Sequence, residues 1–491
     1  MFAFFLSSGF FLGWSLGAND ASNVFGTAVG SGMIRFRTAA LWCSVFVILG
    51  AVLSGAGASH TLGKLGAVNA LGGAFMVALA AAVTVYLMTW LKFPVSTSQA
   101  IVGAIIGWNY FTGSLVDYGA LTKIVSTWVA CPLLAAGFAV ILYKVLTPGI
   151  RHHRINMFTL DTMTRWGLLL AGVFGSYALG ANNIANVMGV FVPVAPFGEI
   201  TLFDGLFALS GEQQLYLIGG VAIAVGVFTY SRRVMLTVGS GILPLTPVAA
   251  FVVVTAHSLV LFVFSSHELQ QAMVNMGLPP IPLVPVSSSQ AIVGAVIGIG
   301  LLKGGRGIRW RVVGGIASGW ATTPVIAAFV SFVCLFFLQN VFQQQTYRPV
   351  RFEVTFSALE RLDAEGVDTG RLAALRGVTH ENAVAFRDAL EAVPGLDGAA
   401  RKKIMAAAEL DELFVTEDRI TRIPVGWVTR RERNALQDLE GRFFMHRWVL
   451  RRELAKAAPE WREQPGQDAY NRDLAAKVEY VCRYLRRGGG L

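Results

Sequence analysis

The chain repeats itself over a long distance, and this repetition constrains the fold more than any other feature. The block LGANDASNVFG at 16–26 returns as LGANNIANVMG at 179–189, and we call these the first and second amide blocks. PVSTSQ at 94–99 returns as PVSSSQ at 285–290, and we call these the first and second serine motifs. A third block, WVACP at 128–132, returns as WATTP. Three blocks in the same order indicate a duplicated unit of roughly 150 residues.

The distribution of charge separates this duplicated part from the remainder of the chain. Residues 1–345 contain 15 Lys and Arg and 7 Asp and Glu, whereas residues 346–491 contain 25 and 23. The whole chain is 54% hydrophobic and 14% charged, against about 25% charged in soluble domains. We therefore predict an all-α integral membrane protein with a small helical C-terminal soluble domain at 346–491. The basic excess lies mostly in short loops, so it indicates membrane orientation and not nucleic-acid binding.

Apolar segments predict five crossings in each unit. The first membrane repeat is 1–150, a polar cytoplasmic linker follows at 151–165, and the second repeat is 166–345. An odd number of crossings inverts the second repeat relative to the first, an arrangement found in many secondary transporters. The predicted segments lie near 4–30, 38–58, 66–91, 94–110 and 119–146, and near 166–192, 213–231, 234–265, 283–302 and 312–338.

Loop charges support the inversion. With the N-terminus outside, 13 of the 15 Lys and Arg of the membrane domain lie on the cytoplasmic side of the cell (inner) membrane. The segments at 94–110 and 285–302 are short, and we expect broken or re-entrant helices there. This topology would place the soluble domain outside, although one missed crossing would move it into the cytoplasm.

The amide blocks place polar side chains where lipid-compatible ones are expected. A carboxylate such as Asp20 costs about 2.5–3.5 kcal/mol to insert into a bilayer, so it requires partners or a function. The glycines that flank this block predict an interrupted helix, whose freed carbonyls together with side-chain oxygens would suit a hard cation. A hydrogen-bonded seam between helices is the alternative interpretation. The candidate cation ligands are Asn19, Asp20, Asn23, Asn182, Asn183 and Asn186.

The serine motifs read as the beginnings of helices. Proline followed by hydroxyl side chains and a small apolar stretch is typical of a helix N-terminus. The backbone N–H groups and dipole at such an end bind anions. Plain N-capping explains one hydroxyl in each motif but not three hydroxyls and an amide. We therefore predict that two such ends surround a tetrahedral oxyanion. The candidate substrate ligands are Asp20, Ser96, Thr97, Ser98, Gln99, Ser287, Ser288, Ser289 and Gln290.

Other reactive residue types carry no recognisable pattern. His257 stands alone in an apolar segment, and we interpret it as structural or solvated. The four cysteines form no CxxC pair, so neither a disulfide framework nor a metal site is indicated. No P-loop, GxSxG or zinc motif is present. We expect a protein that is not an enzyme and that has no resident cofactor.

The paired motifs resemble those of the inorganic phosphate transporter family, the cation-coupled phosphate permeases. That family is marked by a duplicated GAND block and a duplicated PVS(S/T)(S/T) hairpin, and the similarity covers about residues 10–340. It implies a homodimer in the lipid bilayer that moves inorganic phosphate with a monovalent cation, either Na⁺ or H⁺. It also implies that the hairpin helix ends bind the anion while the GAND regions bind cations.

One position departs from the family pattern, because Asn183 stands where the second block would have an aspartate. The paired carboxylates become one, which puts the number of coupled cations in question. Asp20 can still accept a hydrogen bond from protonated phosphate, whereas fully ionised sulfate has none to donate. We therefore expect a phosphate symporter. The alternatives are a symporter of sulfate or another tetrahedral oxyanion, a passive anion channel, or a membrane sensor that signals through residues 346–491.

Overall fold

A computed structural model describes residues 2–66, 68–90, 95–152, 156–197, 200–202, 207–238, 243, 245–305, 307–423 and 428–486. Contacts divide the chain into two compact units. The first comprises Met1–Phe111, Val116–Ala195 and Glu212–Tyr347, and we call it the membrane unit. The second comprises Thr112–Leu115, Pro196–Gly211 and Arg348–Leu491, and we call it the tail unit.

The membrane unit is built from helices. Within the described residues, the first repeat contains α1 (Phe2–Gly30), α2 (Phe36–Ser54), α3 (Ala56–Leu65), α4 (Leu71–Trp90), α5 (Thr97–Thr112) and α6 (Tyr118–His152). The described part of the second contains α7 (Met157–Met188), α8 (Gly211–Thr229), α9 (Ser231–Val238), α10 (Pro247–Val263), α11 (His267–Asn275), α12 (Ser288–Leu302) and α13 (Trp310–Asn340). A 3₁₀ turn, Gly189–Val194, follows α7, and Met157 begins α7 inside the predicted linker.

The long apolar helices confirm a multi-pass membrane protein. Among the described residues, six helices are long and apolar enough to span a bilayer, namely α2, α4, α6, α7, α8 and α13. A seventh span is counted if α10 and α11, bent by 68° at their junction, are taken together. The hydrocarbon core is about 30 Å thick, so the 16 residues of α5 and the 15 of α12 reach only about 24 Å and 22 Å. These two helices are therefore too short for full crossings, as expected for broken or re-entrant segments.

The structure divides the predicted crossing at 234–265 between two helices. Helix α9 ends at Val238, and α10 begins at Pro247 after its own N-cap, where the Thr246 hydroxyl accepts a hydrogen bond from the Ala249 amide. Proline fixes the backbone angle that a first helical residue requires, so Pro247 begins a new helix. Residues 239–242 and 244 of this predicted span lie outside the described residues.

Helix α1 runs without interruption through the first amide block, and α7 continues to Met188, the penultimate residue of the second, so the predicted helix break is wrong. The glycines serve close packing instead. A Cβ atom on Gly17 would lie 2.0 Å from the carbonyl oxygen of Ile223 in α8, and one on Gly180 would lie 2.1 Å from that of Val47 in α2. Because no Cβ atom fits at these distances, glycine lets each pair of helix backbones touch.

These contacts are reciprocal between the repeats. Gly17 and Gly180 occupy matching positions of the two amide blocks, and each packs against the second helix of the opposite repeat. The same exchange occurs where Gly50 of α2 meets the carbonyl of Tyr177 and where Gly226 of α8 meets that of Trp14. Each repeat therefore completes its packing with elements of the other, as expected for two halves related by a pseudo-two-fold axis.

The tail unit contains short strands as well as helices. They are β1 (Ile200–Leu202), β2 (Phe207–Leu209), β3 (Phe352–Glu353), α14 (Phe356–Ala364), β4 (Thr379–His380), α15 (Ala383–Glu391), α16 (Gly398–Ala408), β5 (Leu413–Phe414), α17 (Glu417–Arg422), α18 (Arg430–Gln437), β6 (Phe443–Phe444), α19 (Arg447–Ala457) and α20 (Asp468–Leu485). The 3₁₀ turns Thr369–Leu375 and Pro459–Trp461 complete it. The antiparallel pairs are β1–β2, β3–β4 and β5–β6.

Residues 352–485 are themselves duplicated. The order strand, helix, helical turn or helix, strand, helix, helix occurs twice, each time around its own hydrophobic core. Val354–Thr355 matches Val415–Thr416, with each threonine at the N-cap of the next helix. Gly377 and Gly441 both have positive φ, at 71° and 79°, two residues before the second strand of each copy. The predicted helical domain is thus two small α+β copies, whose two-residue strands are too short to give a periodic sequence signal.

Candidate functional site

All eight described hydroxyl and amide residues of the serine motifs are buried. Their exposed fractions run from 1% at Ser98 to 8% at Ser289. Such polar residues are usually at the surface, so their burial in two matching places requires an internal role. Both glutamines, Gln99 and Gln290, are among them, at 2% and 3%.

Each motif begins its helix as the sequence predicts. The Ser287 hydroxyl accepts a hydrogen bond from the Gln290 amide at 3.2 Å, and the Ser96 hydroxyl accepts one from the Gln99 amide at 3.3 Å. One hydroxyl per motif is therefore an N-cap. The remaining hydroxyls do not cap, and the first turns of α5 and α12 retain backbone N–H groups suited to an anion. Pro94 lies outside the described residues.

The amide blocks and serine motifs of opposite repeats meet. The Asn23 side chain donates to the Ser288 hydroxyl at 3.0 Å, and the Asn186 side chain donates to the Ser98 hydroxyl at 2.8 Å. Ser98 in turn donates to the carbonyl of Val286, at 3.1 Å, in the second serine motif. The amide blocks and serine motifs, which lie far apart in the sequence, thus form one connected buried cluster, which we call the central site.

The two amide blocks use the same local geometry with different charge. Asn23 Nδ2 lies 3.5 Å from Asp20 Oδ1, and Asn186 Nδ2 donates to Asn183 Oδ1 at 2.9 Å. Residues three apart lie on one face of a helix, so each pair points the same way. Asn183 preserves the accepting oxygen of an aspartate but not its negative charge, and Asp20 is left as the carboxylate of the pair.

Asn19 and Asn182 are engaged by the protein itself. Asn182 Nδ2 donates to the carbonyl of Val284 at 3.1 Å, and its Oδ1 accepts from the amide of Val286 at 2.9 Å. This residue therefore fastens the extended segment that precedes α12. Its counterpart Asn19 donates instead to the Thr89 hydroxyl at 3.2 Å. Both are predicted cation ligands, and both have side chains already bonded to neighbouring groups.

His257 belongs to the central site, so it is buried and not solvated. Its Nε2 lies 2.9 Å from the Ser288 hydroxyl, which also accepts from Asn23, and the side chain is fully buried. Its Nδ1 has no partner within the described part of the chain. A lone histidine in an apolar helix carries no signal of this role, because the contact arises from packing of α10 against α12.

Three oxygen atoms of the central site are buried without a hydrogen-bond partner among the described residues. They are Oε1 of Gln99, Oε1 of Gln290 and Oδ1 of Asn186. Buried acceptors are normally satisfied, so unpartnered ones in matching motifs call for an explanation. Atoms of this kind can accept hydrogen bonds from a ligand or coordinate a hard cation. Within the described ranges, no group of three or more His, Cys, Asp or Glu residues could hold a metal ion.

The fold and the central site define a membrane transporter with two interlocking repeats and an internal polar site. The sequence profile of the Phosphate transporter family matches residues 16–159, 150–331 and 281–386. The chain therefore belongs to the phosphate transporter family. The matched range reaches 386, beyond the limit of about 340 inferred from the motifs alone.

Individual relatives agree with this assignment. A provisionally named phosphate permease of Methanocaldococcus jannaschii is 29% identical over 327 residues, covering 66% of this chain and 93% of the relative. One from Haemophilus influenzae is 26% identical over 420 residues, covering 68% and 96%. A solved structure titled the sodium-dependent phosphate transporter has a TM-score of 0.55 at 22% identity, covering 69% of this chain and 99% of that one. This structural similarity shows the shared fold.

Proposed function

We propose that the protein is a secondary active symporter that imports inorganic phosphate together with Na⁺ or H⁺. The anion lies between the first turns of α5 and α12. The reciprocal hydrogen bonds Asn23–Ser288 and Asn186–Ser98 carry this proposal, because they join the two serine motifs into one site. Helix N-termini and hydroxyl donors stabilise an anion there without a buried Lys or Arg.

The unpartnered acceptors favour phosphate over sulfate. A buried site that contains the Asp20 carboxylate and the unpartnered Oε1 atoms of Gln99 and Gln290 offers acceptors to a ligand that can donate hydrogen bonds. Phosphate retains at least one proton near neutral pH and can donate it. Sulfate is fully ionised there and would face Asp20 without any attractive contact.

The same oxygens support a coupled cation. Amide and carboxylate oxygens are ligands that hard cations such as Na⁺ prefer, and Asp20 supplies a compensating negative charge. We favour Na⁺ because the solved structure that shares this fold is titled sodium-dependent. The neutral Asn183 makes the two halves unequal, so we propose that the cation is held mainly beside Asp20.

Uptake of labelled phosphate into proteoliposomes tests the function. We expect accumulation when a Na⁺ gradient is imposed, inhibition by arsenate, and little inhibition by sulfate. Accumulation driven only by a proton gradient would assign H⁺ as the coupling ion. Equilibration without any gradient dependence would identify a passive channel, and preferential uptake of labelled sulfate would identify the other oxyanion class. A sensor would bind phosphate without transporting it, and deletion of 346–491 would abolish its signal.

We also propose that the protein is a homodimer, as the family resemblance implies. Mass photometry of the detergent-solubilised full chain measures this directly. A mass of one protein chain would contradict it.

A further inference from the structure

Four buried polar atoms near the serine motifs form two complementary sets. Oε1 of Gln99 and Oε1 of Gln290 are acceptors, and Nε1 of Trp128 and Nε1 of Trp320 are donors. None of the four has a hydrogen-bond partner in the part of the chain that the structure describes. Both glutamines and both tryptophans occupy matching positions of the two repeats. Buried polar groups are nearly always bonded, so two matching donors and two matching acceptors without partners require an explanation.

Helix packing places Gln99 and Trp320 on facing surfaces. A Cβ on Gly103 of α5 would lie 2.1 Å from the carbonyl oxygen of Pro324 in α13. One helical turn later, a Cβ on Gly107 would lie 2.3 Å from the carbonyl oxygen of Ala328. The two helices therefore run in the same direction in close contact, with one turn of α5 matched to one turn of α13.

Extended by one helical turn toward the N-termini, the same register reaches Gln99 and Trp320, which carry two of the unpaired atoms. Gln99 lies four residues before Gly103, and Trp320 lies four residues before Pro324. Residues four apart share a face of an α-helix, so both side chains project from the surfaces that touch. The register therefore places the first turn of α5 at the level of the turn of α13 that carries Trp320.

The second repeat reproduces this arrangement. A Cβ on Gly294 of α12 would lie 2.2 Å from the carbonyl oxygen of Pro132 in α6, and Gln290 and Trp128 each lie four residues earlier. The Cys131 thiol reaches the N-cap carbonyl of α12 at 3.6 Å, so the contact continues to the start of that helix. Two independent places in the molecule therefore bring a donor and an acceptor to the same level.

Proline provides the freedom that pairing requires. Pro132 and Pro324 lie inside α6 and α13 and have no N–H, so the carbonyls of Trp128 and Trp320 lose their usual intrahelical partners. The helix is most easily bent between each indole and the glycine contact. The turn that carries the tryptophan can therefore move while the contact between proline and glycine stays fixed.

We propose that Trp128 and Trp320 are positioning residues of the central site, and that their indole N–H groups bond Gln290 Oε1 and Gln99 Oε1 in a second conformation of the transport cycle. Each bond orients the amide of a glutamine in the first turn of α5 or α12. Assignment of that conformation to a transport cycle rests on the proposed function, whereas the pairing itself concerns this chain alone.

Indole N–H resonances of the full chain test the pairing directly. Protein labelled with ¹⁵N-tryptophan in detergent is recorded without ligand, with NaCl, and with sodium phosphate, and Trp128→Phe and Trp320→Phe assign the two signals. A new hydrogen bond moves an indole proton downfield. We expect such a shift for both in at least one ion condition. Gln290→Met should remove the shift of Trp128 alone, and Gln99→Met that of Trp320 alone.

Transport kinetics supply the second readout. Trp128→Phe and Trp320→Phe keep the ring but lose the donor, and loss of one hydrogen bond is expected to lower the maximal uptake rate about fivefold with a smaller change in KM. Trp166→Phe, at an exposed position, is the matched control and should transport as the unaltered protein does. Resonances that never move, or shifts unaffected by the glutamine variants, overturn the proposal. The paired shifts without phosphate uptake in proteoliposomes would support the pairing and refute the proposed function.

Discussion

The two amide blocks have nearly the same hydrogen bonds but differ in charge. Asn23 approaches Asp20 in the first block, and Asn186 donates to Asn183 in the second. Each asparagine also reaches a serine of the opposite repeat. The duplication therefore preserves the frame that joins the repeats, while the charge that would balance a cation remains in the first repeat only. Structural and electrostatic roles have separated within one repeated motif.

The largest effect is expected from removing that one charge. Asp20→Asn makes the first block resemble the second, and we expect coupled phosphate uptake to fall to background because no carboxylate remains in the pair to balance the cation. Uptake into proteoliposomes under a Na⁺ gradient measures this. Asn183→Asp is the reciprocal variant, and it should retain uptake but change its dependence on Na⁺ concentration. Unchanged uptake by Asp20→Asn would refute the role of Asp20.

The packing between the two repeats can be tested at its closest backbone contacts. Gly17→Ala and Gly180→Ala each force a Cβ to within about 2 Å of a carbonyl oxygen in the opposite repeat, and overpacking typically costs 1–3 kcal/mol or more. We expect both variants to lower the thermal unfolding temperature in detergent. Gly137→Ala is the control, because nothing lies within 4 Å of its added Cβ. Equal unfolding temperatures for all three would contradict the exchanged packing.

A smaller effect is expected at Ser98 and Ser288, the two serines whose hydroxyls accept hydrogen bonds from the asparagines. Ser288 contacts both Asn23 and His257, whereas Ser98 accepts from Asn186 and donates to a backbone carbonyl. Loss of a neutral hydrogen bond costs about 0.5–1.5 kcal/mol, so Ser288→Ala and Ser98→Ala should each raise the KM for phosphate severalfold. His257→Phe should affect uptake when it is the only substitution, but it should add little to the effect of Ser288→Ala in the double variant. A fully additive double variant would argue against the contact between His257 and Ser288.

The two copies within the tail unit also differ at one matching position, and the expected effect there is smaller. Asn382 and His446 occupy matching N-cap positions of α15 and α19, but only Asn382 caps its helix. His446 is buried, with Nδ1 2.6 Å from the Glu409 carbonyl and Nε2 2.7 Å from the Thr355 hydroxyl. Duplication followed by divergence has thus turned a local cap into a contact with the first copy.

This difference predicts a pH dependence. Burial lowers the pKa of His446 below the ordinary value near 6.5, so the unfolded chain binds more protons than the folded one as the pH falls through that value. The tail unit should therefore lose stability below about pH 6.5 and keep it above. Hydrogen exchange of the full chain should show faster exchange at 443–457 at pH 5.5 than the change in intrinsic rate explains. His446→Asn should abolish this pH dependence, and its persistence would assign the effect to other groups.

The sequence predicts the duplicated frame and the burial of its polar motifs, because identical polar blocks within apolar segments have few structural explanations. It does not predict which part of another helix a glycine contacts. Gly17 suggests a helix break in the sequence, whereas in the structure Gly17 and its counterpart Gly180 permit backbone contact with Ile223 and Val47. The contact of His257 with Ser288 was not predicted for a related reason, since the two residues lie 31 positions apart on different helices. Strands β3 to β6 of the tail unit are only two residues long, so alternation of polar and apolar residues cannot reveal them.

The central claim is that one anion is held by both repeats together. A cryo-EM map of the full chain in sodium phosphate tests it most directly. We expect density for one tetrahedral anion bounded by the first turns of α5 and α12, with Asp20 of α1 beside it. A separate anion at each serine motif, or density remote from both, would contradict the account.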